Sequence, residues 1–157
     1  MTKSNHIDNK GNIKMVDVGN KISTDRKAIA SGSIYLNKEA LKSIKDGINK
    51  KGDVLMVAQV AGIQAAKNTS SLIPLTHNLD ILSVNIEFKI KLDKIECSSV
   101  VRCHGKTGVE IEALCAVQIS LLTIYDMCKY IDKAMTISDI NLVSKEGGKS
   151  GEFKRSQ

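Results

Sequence analysis

The 157-residue chain has no tryptophan, and aromatic residues make up only 3% of it. Any core must therefore be built from aliphatic side chains. Proline occurs once, at Pro74, where it fixes the local backbone and stops a helix from running through residues 70–79. The four cysteines, Cys97, Cys103, Cys115 and Cys128, include no C-x-x-C pair, so they read as buried free thiols in a reducing compartment. The N-terminus lacks both an apolar h-region and an Arg-rich amphipathic pattern, so no export or transit signal is expected. The longest uncharged stretch of the most apolar segment, Ala113 to Tyr125, is about 13 residues, well short of the roughly 20 that span a bilayer. No membrane partner is expected, and a cytoplasmic location is. Internal repeats and low-complexity tracts are also missing.

What is present fits one domain, 1–157, long enough to bury about two-thirds of the surface of its unfolded chain. Lys and Arg exceed Asp and Glu by 23 to 17, a formal net charge of +6. Such a balance favours anionic partners, small phosphorylated ligands and nucleic acid alike.

Periodicity organises the rest. Residues 1 to about 26 are polar and basic, an expected mobile segment whose Met15-Val16-Asp17-Val18 could pair as an edge strand. Ala28, Ala30, Ile34 and Leu36 recur with period two, and Asn37 then caps a helix striped by Leu41, Ile44 and Ile48. Asp53 caps a second helix, residues 54–67, apolar all round and hence buried on more than one side. Leu82 to Ile90 and Ile95 to Cys103 alternate as an antiparallel hairpin. A long helix follows over about 109–133, then a strand near 137–143 and a Gly/Lys-rich tail, about 145–157. This order predicts an α+β ferredoxin-like sandwich, an antiparallel sheet with helices packed on one face.

Several residue groups invite chemistry. Gly105-Lys106-Thr107 suggests a phosphate-binding P-loop, but the first glycine that motif requires falls on Val100, so the motif fails. Two glycines flanking a lysine before a helix can still offer N–H groups to an anion, although an ordinary strand-to-helix turn explains them as well. Glu110 and Glu112 in the first turn complement the helix dipole. Asp126 and Lys129 are i,i+3 neighbours that would form a surface ion pair on any helix, yet they interrupt one with little solvated face.

Glu112 and Asp126 are about 40° apart around an ideal helix but roughly 21 Å apart along it, so one helix cannot bring both to one reacting atom. Either the glutamates precede the helix proper, or the ligand is elongated, or another copy of the chain completes the site. Lys51 ends a basic helix terminus and is set by Gly52-Asp53 in a tight turn. His77 sits beside Thr76 and Asn78 in an apolar loop, with no second His or Cys at metal-ligand spacing. Lys145 and Lys149 belong to a glycine-rich tail that composition reads as flexible and that could close over phosphates.

Taken together, Gly52-Asp53-Val54, Val60-Ala61-Gly62-Ile63-Gln64-Ala65-Ala66-Lys67, Leu72-Ile73-Pro74-Leu75-Thr76-His77, Gly105 to Leu114, Leu122 to Lys129 and Gly147 to Gly151 occur in one order. In these blocks the chain closely resembles the cyclic pyranopterin monophosphate synthases, the molybdenum cofactor biosynthesis protein C family. His77 is kept, although the family usually has Cys and Pro where this chain has Thr76 and Asn78.

The resemblance implies a ferredoxin-like subunit in a hexamer, a trimer of dimers with sites at subunit interfaces. It implies a lyase that turns 3′,8-cyclo-7,8-dihydroguanosine triphosphate into cyclic pyranopterin monophosphate and pyrophosphate, acting after the radical enzyme that makes this substrate. No cofactor is implied, and Mg²⁺ can accompany the triphosphate. Lys51 and Lys129 resemble the acid/base lysines, whose mutual proximity would lower an ammonium pKa, and Asp126 resembles the catalytic carboxylate. Leu75, Thr76, His77, Glu110, Ile111 and Glu112 match substrate-binding segments, and Arg26, Lys145 and Lys149 match basic residues facing the triphosphate. The competing readings are a non-enzymatic nucleotide- or RNA-binding module on a basic sheet, and a structural oligomer with an Asp126–Lys129 interface pair.

Overall fold

The computed structural model describes residues 6–8, 10–149 and 151–156. Its elements are β1 (Thr24–Tyr35), α1 (Lys38–Lys45), α2 (Val54–Lys67), α3 (Thr69–Leu72), β2 (Ile81–Ile90), β3 (Lys94–Gly105), α4 (Glu110–Cys128), β4 (Thr136–Glu146) and β5 (Phe153–Lys154). The strands form one sheet in the order β2-β3-β1-β4-β5, and each pairing is antiparallel. The first four strands and the helices between them give the expected ferredoxin-like α+β order.

Strand alternation decides which face the helices cover. Ala28, Ala30 and Ile34 of β1 and Ile95, Cys97, Ser99, Val101 and Cys103 of β3 are buried beneath α4, each on the same side of its pleat. Val117, Leu121 and Ile124 answer from α4, all fully buried, so aliphatic burial worth about 1.5–3 kcal/mol per large side chain holds the layers together. Hydroxyls stitch the contacts: Ser99 Oγ donates to the Ala113 carbonyl at 2.8 Å, and Ser120 Oγ to the Ala58 carbonyl at 3.0 Å. The latter spans α2 and α4, which approach closely at Gly62, where an added Cβ would strike Ser120, Ile86 and the Ala116 carbonyl. By length and apolarity α4 could cross a membrane, but here it lies between α2 and the sheet.

The caps agree with the sequence at Asn37, whose side chain accepts the Ala40 N–H, and at Asp53, which accepts that of Met56. Elsewhere the chain departs from expectation. Helix α1 stops at Lys45 because Gly47 turns the chain at φ +66°, which leaves Ile48 exposed. Helix α4 ends at Cys128 rather than near 133, where the Ile131 N–H turns back to the Cys128 carbonyl three residues earlier and the last turn tightens. Buried Asp132 then accepts the Asn37 N–H at 2.8 Å and ties this turn to the start of α1.

Residues 15–18 form no strand. The free edge of β4 goes instead to β5, with Lys145 opposite Phe153, so part of the tail folds back as a strand. Ser150 of the glycine-rich block and residues 1–5 of the N-terminal segment lie outside the described residues. All four cysteines are free and buried. Burial pushes the Cys97 thiol up to about 12 and that of Cys128 up to about 11.

Candidate active site

Two charged clusters occupy the two ends of α4. At its N-terminus, β1, β3 and β4 run out side by side, with Arg26 opposite Cys103 and Ala28 opposite Lys145. Arg26 and Lys145 therefore emerge on the helix-covered side. The Lys145 ammonium lies 3.5 Å from the Glu110 carboxylate. The Arg26 guanidinium donates to the Gly105 carbonyl at 3.3 Å and to that of Lys106 at 3.4 Å. Gly148 packs against this guanidinium so closely that a Cβ there would overlap it, and its φ of +80° suits glycine.

The N-terminal segment crosses this region. His77 Nε2 lies 2.9 Å from the Val16 carbonyl, donating in the tautomer that carries its proton there, and Lys106 Nζ donates to the Gly19 carbonyl at 2.7 Å. Under the segment is a cavity of about 500 Å³ lined by Leu75, Thr76, His77, Ile111, Glu112 and Lys21, with Val16 and Val18 as its apolar side. A second cavity, about 740 Å³, is lined by Arg26, Lys106, Lys149 and Lys21. The two share Lys21, Thr107 and Gly108 as a common wall. One compartment is thus mixed apolar and polar, and its neighbour is strongly cationic, a pairing suited to a heterocycle carrying phosphates.

Glu112 is 4% exposed. Burial, reinforced by the charge of Glu110, raises its carboxyl above the ordinary range. Dipole complementation explains an acid in a first turn, but an exposed carboxylate would serve equally well. Its place in a cavity wall instead presents a carboxyl with a raised pKa to whatever the cavity holds.

At the other end of α4, Asp126 lies between two lysines. Lys129 Nζ is 2.7 Å from its Oδ1, and Lys51 Nζ is 3.0 Å from its Oδ2 and 2.9 Å from its carbonyl oxygen. Hydrogen bonds from Lys129, then Lys51, hold the Asp126 carboxyl below its usual range. Asp126 in turn holds the Lys129 ammonium above its own. This reverses the expected lowering by a neighbouring cation, because the carboxylate is interposed between the two lysines.

The structure thus brings Leu75, Thr76, His77, Ile111 and Glu112 to one cavity, Arg26 and Lys149 to the next, Glu110 and Lys145 to their rim, and Lys51, Asp126 and Lys129 to a separate cluster. Since α4 begins at Glu110, the glutamates do not precede the helix. The separation of about 21 Å between Glu112 and Asp126 therefore stands. Lys21 and the strap residues Val16 and Val18 were not recognised as site residues in the sequence. The short alternation of Val16, Asp17 and Val18 reads as an edge strand rather than as a cavity wall. Among the described residues no group of three His, Cys, Asp or Glu side chains gathers as a metal site.

An aromatic RNA platform does not form on the opposite sheet face. Ser31, Ser33, Glu87, Lys89, Glu96 and Asn141 line it, and Lys94 covers the Tyr35 ring at 5.6 Å. The fold and its paired cavities define an α+β domain with a site suited to a small anionic molecule. The chain belongs to the MoaC family, whose model matches residues 15–148. It is 58% identical over 153 residues to a cyclic pyranopterin monophosphate synthase from Clostridium botulinum (strain Alaska E43 / Type E3), covering 96% of both chains. An enzyme of the same name from Peptoclostridium acidaminophilum is 54% identical over 150 residues, again covering 96% of each. Another from Novosphingobium aromaticivorans is 50% identical over 157 residues and the full length of both.

Proposed function

We propose that this chain is a cyclic pyranopterin monophosphate synthase, a cytoplasmic lyase of molybdenum cofactor biosynthesis. It converts 3′,8-cyclo-7,8-dihydroguanosine triphosphate into cyclic pyranopterin monophosphate with release of pyrophosphate. The observation that carries the reading is the pair of adjoining cavities, one walled by His77, Ile111 and Glu112 and the other by Arg26, Lys106 and Lys149. The first takes the guanine-derived ring, whose amidine-type N–H groups the Glu112 carboxylate accepts. The second takes the triphosphate.

The lysine–aspartate cluster supplies proton transfer during ring opening, reclosure and phosphate cyclisation. Lys129, held protonated by Asp126, suits a proton donor or a stabiliser of developing negative charge. With Asp126 about 21 Å from Glu112 along one helix, a second subunit completes each site. Apolar side chains at Met56, Val57 and Val60 on α2 and Leu122 on α4 are exposed in the single chain, and burying them against another copy would favour association. The assembly is a hexamer, a trimer of dimers. No resident cofactor enters the reaction, Mg²⁺ can accompany the triphosphate as a counter-ion, and the substrate comes from an upstream radical enzyme.

Incubation of the purified protein with the cyclic dihydroguanosine triphosphate tests the reading. A pterin product and pyrophosphate are expected, and both should vanish in Asp126→Asn and Lys129→Ala with assembly intact. Normal turnover in those variants would overturn the site assignment. High-affinity, salt-resistant RNA binding without turnover would favour the binding-module alternative.

A further inference from the structure

The loop between α1 and α2 delivers Lys51 to the far end of α4 and is anchored there residue by residue. Asn49 is polar yet only 7% exposed. Its Oδ1 accepts the Lys51 backbone N–H at 2.9 Å. Its Nδ2 donates to the Met127 carbonyl at 3.4 Å, with Cys128 Sγ at 3.6 Å. Next in the chain, the Lys50 N–H donates to the Tyr130 hydroxyl at 3.0 Å, and the Lys50 ammonium lies 5.7 Å from the centre of the Tyr130 ring. Only then does Lys51 Nζ reach the Asp126 carbonyl and carboxylate.

The carbonyls of Asp126 and Met127 are among the last four of α4, which lack N–H partners within their own helix. The loop provides those donors from outside, so Asn49 and Lys51 together complete the C-terminal cap. Capping alone would need no particular location for the Lys51 ammonium. A lysine side chain has many rotamers and gains a defined position only when its backbone is fixed. Here both preceding residues are pinned, Asn49 to α4 through a buried amide and Lys50 to the phenol of Tyr130 just past the end of that helix.

We propose that Asn49 and Tyr130 are positioning residues that set the Lys51 ammonium against Asp126. The inference rests on the proposed function, which counts Lys51 and Asp126 among the catalytic groups. A misplacement of about 1 Å at a reacting group can cost about 100-fold in rate. Their removal should therefore be read in kcat.

Asn49→Ala, Tyr130→Phe, Lys51→Ala and the Asn49→Ala/Lys51→Ala double variant, all full length and checked for assembly, are assayed on the cyclic dihydroguanosine triphosphate. Asn49→Ala should lower kcat about 10- to 100-fold with KM within about twofold, the pattern of a lost transition-state interaction. Tyr130→Phe, which keeps the ring under Lys50, should lower it by less, about threefold. The double variant should be no slower than Lys51→Ala, because the effect passes through that lysine. A second readout needs no turnover: in ¹⁵N NMR the Lys51 ammonium should exchange more slowly in the parent protein than in Asn49→Ala and Tyr130→Phe.

Losses that multiply in the double variant, or an unchanged kcat with the slow-exchanging ammonium retained, overturn the positioning role. Should Asn49→Ala fail to assemble, Tyr130→Phe with and without Lys51→Ala repeats the comparison on the exposed side of the clamp. If Lys51→Ala keeps full activity, the catalytic assignment fails instead, and the NMR comparison still decides whether the clamp holds the ammonium.

Discussion

Co-expressing a Glu112→Ala chain with an Asp126→Ala chain is expected to restore turnover that neither variant has alone. The two residues lie in one helix about 21 Å apart, and in the proposed assembly a site that uses both takes them from different subunits, whereas an elongated ligand would span them within one. In a two-fold pair each site then combines Glu112 of one chain with Asp126 of the other. A mixed pair has one site with both defects and one with neither. Random equal mixing makes half of the pairs mixed, each with one intact site of two, so about a quarter of the parent activity should return. Loss of an acid/base group such as Asp126 typically costs about 10²- to 10⁴-fold, so the background from the Asp126→Ala chain alone stays near or below about 1%. Differently tagged chains, purified together through both tags and assayed by pyrophosphate release, would enrich the mixed species further. Activity in the mixture no greater than in either variant alone would mean that the site closes within one chain.

Stability and reactivity offer independent checks. Gly62→Ala should lower unfolding stability by about 1–3 kcal/mol, measured in urea, because the new methyl would stand 2.8 Å from the Ala116 carbonyl; an unchanged midpoint would show that α2 and α4 have room to separate. For Glu112 the folded pKa is raised by burial. The stability linked to its protonated form is therefore fully present below the unfolded value near 4.5 and is lost as pH rises through the folded pKa. Glu112→Gln mimics the neutral acid, so its stability advantage over the parent should grow with pH through this window, and parallel pH–stability curves would refute the buried-carboxylate account. All four thiols, with Cys97 pushed up to about 12, should resist an aromatic disulfide reagent at pH 8 in the folded protein and react on denaturation. Rapid native labelling of Cys97 would contradict its burial.

Much of the fold could be read from periodicity because the core obeys it. The span 54–67 with its Asp53 cap was anticipated residue for residue, and the alternation from Ile95 to Cys103 matches a strand buried on one face. Missed boundaries came from single interactions that pattern does not carry, such as the positive φ of Gly47 and the turn of the Ile131 N–H back to the Cys128 carbonyl. Residues 15–18 look like a strand locally, yet they line a cavity while β5, too short to announce itself, takes the sheet edge. At the site, the residue types and the distance along α4 were legible. What the sequence hid was pairing across long separations: Arg26 beneath Gly148, Val16 against His77, Asn49 under Met127.

Helix α4 also acts as a gauge. Its 19 residues carry a buried glutamate near one end and the lysine-bridged aspartate near the other, so its length and its rotational phase are both specified. One inserted residue would turn one cluster by about 100° relative to the other and move it about 1.5 Å. Seven would nearly restore the phase but add about 10 Å. Surface loops of this subunit can absorb insertions and deletions, whereas α4 has no neutral length change available. In the proposed assembly its residue count is itself a functional parameter, shared by every subunit that lends an end to its neighbour.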